Sequence, residues 1–184
     1  MSDAPLIYFT GNKPSATLLP TVKALLTTPG SFFENMPRAI YFKDAMFFIS
    51  IVVFAFSFLS IPFHGALFLF MLPVTWGAVL ISLWLWSKYM SWAVRTFTDK
   101  KLSAANAFQL SGYASLPMLL CAIPYVGAVA GLWNLYLIWL GLVSYCRVSA
   151  GAAMVILIVP IVVLGATTAV FTTMLIKAVP QLAG

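Results

Sequence analysis

Apolar residues run along this chain in three long stretches, separated by clusters of charge. No formal charge falls within residues 45–87, 102–146 or 148–176. A helix crosses the hydrocarbon core of a bilayer in about 20 residues at about 1.5 Å each. The first two stretches, of 43 and 45 residues, are each long enough for two crossings and a tight turn, and the third, of 29, for one. Backbone polar groups must pair with one another inside lipid, so the spans are predicted as helices. The period-two alternation of a membrane β-barrel is absent. Turn signals fall near the middle of both long stretches, at "IPFHG" (61–65) and "IPYVG" (123–127). The predicted fold is therefore all-α and polytopic. Its five transmembrane helices, at about 45–62, 66–87, 104–122, 128–146 and 152–176, form two hairpins plus one.

The pattern differs before residue 45. In "TLLPTVKALL" Leu18, Leu19, Val22, Leu25 and Leu26 share one face of a helix. "PG" at 29–30 breaks it, and "SFFE" (31–34) has the form of a capping box in which Ser31 starts a helix and Glu34 answers it. Phe32, Phe33, Met36, Ile40 and Phe42 beside Arg38 and Lys43 predict an interfacial, amphipathic helix running into the first span, bent at Pro37. An ordinary helix packed on the bundle fits the same residues equally well. The organisation is then a 1–44 N-terminal segment, a 45–176 membrane domain and a short 177–184 tail. No N-terminal stretch has the layout of a secretory signal.

Composition strengthens the membrane reading. Hydrophobic residues make up 62% of the 184, charged residues 8%, and the mean hydropathy is +1.02. A soluble domain carries about 25% charge, so too little polar surface exists here to coat a globule. The net charge of +6 is spread through loops and does not form a nucleic-acid patch. Lys13, Lys23, Arg38, Lys43, Lys88, Arg95, Lys100, Lys101 and Arg147 all fall on the N-terminal side of a five-span chain, and Lys177 alone on the other. The positive-inside rule then places the N terminus in the cytoplasm and the C terminus outside. The absence of any Asn-x-Ser/Thr acceptor favours a bacterial inner (plasma) membrane.

Chemistry inside the predicted spans is sparse. No Asp, Glu, Lys, Arg or His sits at mid-span, where such residues mark ion and proton pathways. With the single His64 in an outer turn and only Cys121 and Cys146 as thiols, no acid–base pair, metal cluster or activated nucleophile is expected, and neither is a cofactor. The reading is non-enzymatic. Small residues are more frequent. Gly127 and Gly131 form a GxxxG motif, Ala107, Ser111 and Ser115 a stripe on the third span, and Gly165 and Ala169 another on the fifth. Such faces let helices approach closely, within the chain or between chains. Asn134 on the fourth span wants an interhelical partner, which a serine or Gln109 would supply. Gln109, Tyr113 and Tyr136 are the other polar intramembrane candidates. Trp84, Trp86, Trp92, Trp133 and Trp139 read as an aromatic belt.

Several of these stretches are shared with a known family. "SGYASLP" (111–117), "IPYVG" followed by "LWNLYLIWLGL" (132–142), "RVSAGAAMVILIVP" (147–160) and "TTPGSFFENMP" (27–37) resemble the Yip-domain family, the Ypt/Rab-interacting membrane proteins, in its bacterial form. The resemblance implies five membrane helices with a cytoplasmic N terminus. In eukaryotic members it also implies vesicle trafficking through Rab-type GTPases and hetero-oligomers. Here the chain departs from the pattern: no "DLYGP"-like motif precedes the spans, and the nearest stretch, "YFTGNKP" (8–14), does not match. That argues against recruitment of a Rab-type GTPase.

Three functions follow from these features. The first is a scaffold or oligomeric subunit that binds itself or other membrane proteins through its small-residue faces, as in membrane trafficking or organisation. The second is a small transporter or channel, suggested by Pro73, Pro117 and Pro160 inside spans and by the neutral polar Thr75, Gln109 and Asn134. The third is a lipid-binding or bilayer-shaping protein, with Lys100, Lys101 and Arg147 facing anionic head groups. Membrane lipids are expected partners in every case.

Overall fold

The computed structural model describes residues 8–38 and 42–182, with side chains placed throughout these except at 66–68, 164–165 and 169–182. Seven α-helices are present among the described residues: α1 (Pro14–Thr27), α2 (Pro29–Glu34), α3 (Lys43–His64), α4 (Leu72–Phe97), α5 (Ala104–Ala114), α6 (Gly127–Ser144) and α7 (Ala150–Leu182). Two 3-10 segments, Ala66–Met71 and Leu116–Ala122, follow α3 and α5. Strands are absent among the described residues. Among the described residues, four helical stretches are long and apolar enough to cross a membrane: Lys43–His64, Leu69–Phe97, Gly127–Ser144 and Ala150–Thr168.

The predicted third span is not one helix. Ser103 caps α5 by accepting the Asn106 N–H at 3.1 Å, as its residue type favours. The helix stops after eleven residues at Ala114, and a 3-10 segment carries the chain on to Ala122. Pro117 is the cause. It has no N–H to donate and disfavours α geometry at the residue before it. Met118 N–H turns instead to Ser115 O at 2.9 Å. The carbonyl of Ala114 is thereby left without its helical donor.

The contacts fix relative directions. Phe42 faces Phe108 across 5.2 Å between ring centroids, and a Cβ on Gly112 would meet Ile49. These pairings advance together, so α3 and α5 run parallel. Asn134 meets Ala114, and Gly141 meets Leu110, so α6 runs antiparallel to α5. Tyr89 donates to Ile156 O at 2.8 Å, joining α4 to α7. Helix α5 is the centre of the bundle, and every residue from Ala107 to Pro117 is buried.

The N-terminal segment departs from the interfacial expectation. Helix α2 begins at Pro29, a favoured first helical residue, and Ser31 makes no capping box. Its N-cap is Thr28, without a side-chain hydrogen bond. Phe32 and Phe33 are wholly buried and Met36 nearly so. Phe32 packs edge-on against Tyr113 at 5.2 Å, and Tyr8 donates to Phe32 O at 2.9 Å. The packed reading of this segment thus describes α2. The predicted apolar face of α1 is also divided: Leu25 is buried, while Leu19 and Leu26 are exposed. Ile40 lies outside the described residues.

Helix α4 continues through the charges expected in a loop. Lys88 and Arg95 lie on it, and Lys88 Nζ sits 5.5 Å from the Trp84 ring centroid. A cation resting on an indole face is stable at a membrane edge, so the helix need not end where the charge begins. The "IPYVG" turn holds Tyr125 at φ +69°, fully exposed, and α6 starts two residues later.

Candidate functional site

The small and polar positions singled out above have separate fates. Ala107 is buried, Ser111 Oγ donates to Met90 Sδ at 3.5 Å, and Ser115 Oγ returns to Gly112 O at 2.7 Å. Asn134 Nδ2 donates to Ala114 O at 2.7 Å. Its partner is therefore the backbone carbonyl that Pro117 leaves free, and not a serine or Gln109. Gly127 and Gly131 have different surroundings within the chain. A Cβ on Gly127 would touch Cys121, whereas one on Gly131 would meet open space. Gly165 and Ala169 lie outside the residues with described side chains.

Among the described glycines, the two with the least room for a side chain are ones without a pattern signal. A Cβ on Gly112 would come within 2.9 Å of Ile49 Cδ1, and one on Gly141 within 2.8 Å of Leu110. Neither belongs to a GxxxG motif. Gly112 lies on α5 against α3, and Gly141 on α6 against α5.

Between α4, α5, α6 and α7 lies a cleft of about 820 Å³. Its walls are apolar, with Met71, Val79, Leu83, Met118, Ile138 and Pro160 among them. Neutral polar groups punctuate the lining: Thr75 and Ser82 from α4, Ser111 and Ser115 beside the helix break, and Asn134 from α6. Trp86 also reaches it with a buried Nε1–H that has no acceptor. No ionisable side chain among the described residues lines this space. The Pro117 break and the Asn134 bond thus stand at one wall of the cleft.

A family model for the Yip1 domain matches residues 23–171, from α1 well into α7. The chain belongs to the Yip1 domain family. Neither a curated protein nor a solved structure matches it. The matched range takes in all four membrane-length helices, so this Yip1-domain chain is an integral membrane protein in contact with lipid.

The remaining candidates of the Yip1 chain lie toward its N-terminal face or its perimeter. Lys100, Lys101 and Arg147 are exposed in the turns after α4 and α6. Tyr136 is half exposed and stacks on Trp139 at 6.0 Å. Gln109 and Tyr113, one turn apart on α5, are both buried, and their side chains interact with each other. Cys121 and Cys146 are unpaired thiols. Burial pushes the Cys146 thiol, in the turn after α6, up to about 12. Burial likewise raises Tyr8. No group of three or more His, Cys, Asp or Glu capable of holding a metal occurs among the described residues.

Proposed function

We propose that this Yip1-domain protein is a non-enzymatic membrane scaffold whose lateral cleft receives a transmembrane helix of a second copy or of another membrane protein. The cleft is the observation that carries the reading. It is apolar enough to hold a helix in lipid, and its hydroxyls and amide offer interhelical hydrogen bonds. Helix α6 adds an open small-residue position at Gly131, flanked by exposed Val129 and Leu132. Partner binding in a bilayer depends on such close, weakly polar surfaces, because lipid removes the hydrophobic drive between helices.

The topology that goes with this reading has five crossings. Eleven α residues and seven 3-10 residues in α5 and its continuation reach about 30 Å, the thickness of a hydrocarbon core. The parallel course of α3 and α5, with α6 opposed to both, fits alternating crossings. In this arrangement the basic turns face the cytoplasm of a bacterial inner membrane. A photoreactive residue at Ala78, in the cleft, should cross-link to protein in native membranes more strongly than one at Phe54, on the exposed side of α3. Equal or absent cross-linking at Ala78 counts against the scaffold reading.

One observation favours a second function. The helix break at Pro117 beside a cleft with Thr75 and Asn134 resembles the discontinuous helices of transporters. Such a carrier would take a neutral solute, since no charge lies among the described residues that line the cleft. Flux of uncharged osmolytes into proteoliposomes above that of empty vesicles tests it, and the absence of flux retires it.

A further inference from the structure

Helix α4 runs on from Lys88 to Phe97, past the end of the first charge-free stretch, and its two sides differ there. Ser87, Met90, Ala93 and Val94 are buried against the bundle, while Lys88, Trp92 and Arg95 are exposed. At about 3.6 residues per turn the exposed three fall within about 60° of one another, on one face. With a rise of about 1.5 Å per residue, Trp92 stands about 6 Å and Arg95 about 10 Å beyond Lys88 along the axis. The head-group layer on each side of the hydrocarbon core is about 5–8 Å thick. Trp92, 56% exposed, is therefore an indole at head-group depth with a cation on either side of it. Ring contacts with Tyr89 and Phe97, at 6.0 and 6.2 Å, hold it there. The turn after α4 adds charge. Ser91 Oγ donates to Leu102 O at 2.7 Å, and Thr98 Oγ1 accepts the Lys100 N–H at 3.2 Å. The chain thus folds back on α4 and brings Lys101, the neighbour of Leu102, toward Ser91. Asp99 in the same turn offsets one of these four cations, and the face stays basic.

We propose that this face of α4 binds an anionic phospholipid, whose phosphate sits between Lys88 and Arg95. The ammonium meets it as a point charge and the guanidinium as a fork. Lys88 keeps its full charge for this role, because its neighbour in the structure is the Trp84 ring and not a carboxylate. The Trp92 indole lies beside the glycerol, the depth at which tryptophans collect in membranes. Toward the membrane centre the face continues as exposed Leu85, Trp84 and Ile81, along which the acyl chains run. Charge complementarity selects the lipid. A zwitterionic head group would set its own ammonium beside Lys100 and Lys101, so phosphatidylcholine and phosphatidylethanolamine fit less well than phosphatidylglycerol. None of these residues lines the lateral cleft, and the site does not depend on what the cleft receives.

The test uses full-length protein returned to vesicles of equal phosphatidylglycerol, phosphatidylethanolamine and phosphatidylcholine, re-extracted, and weighed with its retained lipid by native mass spectrometry. Phosphatidylglycerol should be retained about tenfold over either competitor, the worth of about one charge-assisted hydrogen bond. Lys88→Gln combined with Arg95→Gln should bring the three lipids to parity. Lys13→Gln combined with Lys23→Gln removes the same charge from exposed positions at α1 and should leave the preference intact. Equal retention of the three lipids by the native protein overturns the proposal. So does an equal loss of preference in the two double variants, which would mean that diffuse charge, and not this face, attracts the lipid. If the α4 double variant loses its helical circular dichroism, Arg95→Gln alone decides, and unchanged retention of phosphatidylglycerol overturns the proposal. An acidic protein retained in place of lipid by the native chain, and lost from the α4 double variant, overturns it in favour of a protein partner.

Discussion

Asn134 shows how a single side chain repairs a deliberate break. Pro117 frees the Ala114 carbonyl inside the bundle, and the Asn134 amide takes it at 2.7 Å. Asn134→Leu should cost about 1–2 kcal/mol, the range of a buried hydrogen bond lost in a membrane protein. Reversible unfolding in mixed micelles measures it, and an unchanged midpoint would remove Asn134 from this role. The glycines separate in the same way. Gly112→Val should destabilise by about 1–3 kcal/mol, because Ile49 stands where the new atoms must go. Gly131→Ala should stay within about 0.5 kcal/mol, since nothing stands there. At Cys146 burial keeps the thiol protonated. The folded value, about 12, exceeds the ordinary one, so its contribution to stability is complete below the unfolded thiol's pKa and fades as pH rises toward 12. Alkylation of Cys146 in the folded protein should remain slow at pH 9 and become rapid once the chain is unfolded in denaturant. The need of Asn134 for a partner was legible in the sequence, because an amide in lipid must be paired. The identity of that partner was not, since it depends on which carbonyl a proline two helical turns from Gln109 sets free.

Among the elements, the apolar helices were the most legible. Charge-free length alone located α3, α6 and the first part of α7 to within a few residues. The end of α4 was misplaced, because Lys88 can rest on Trp84 and let the helix pass a charge. The predicted third span reads as one helix because periodicity does not distinguish an α turn from a 3-10 turn. The segment that opens with α2 is equally ambiguous: five apolar residues beside two cations, from Phe32 to Lys43, fit a lipid interface and a protein interior alike. Packing decides in favour of the interior, through Phe32 on Tyr113. Phe32→Ala should therefore release α2 from the bundle, at a cost of about 3–5 kcal/mol. Limited trypsin digestion in the membrane reads this directly: cleavage near Lys23 and Arg38 should accelerate while the later helices stay protected. An unchanged rate would mean that α2 is held from elsewhere.

For the whole molecule, family membership, the membrane-length helices and the lateral cleft combine into a bundle with unlike ends. One end carries the N-terminal segment and the basic turns; a neutral cleft opens through the side. The cleft could not be drawn from the sequence, because it is walled by residues from at least three elements far apart in the chain. The proposed five crossings predict that a reporter active only outside the cytoplasm, fused after Gly184, is active, and that one fused before Met1 is silent. Activity of both, or of neither, would break the alternation. The central claim is that the cleft holds a partner's helix. Extraction in native lipid followed by native mass spectrometry of the intact protein and of Ser115→Phe, which fills the cleft, tests it most directly. The account predicts that the native protein leaves the membrane as a multimer or with another membrane protein bound, and that the folded Ser115→Phe variant leaves alone. A native protein that is strictly monomeric and free of other proteins would contradict it.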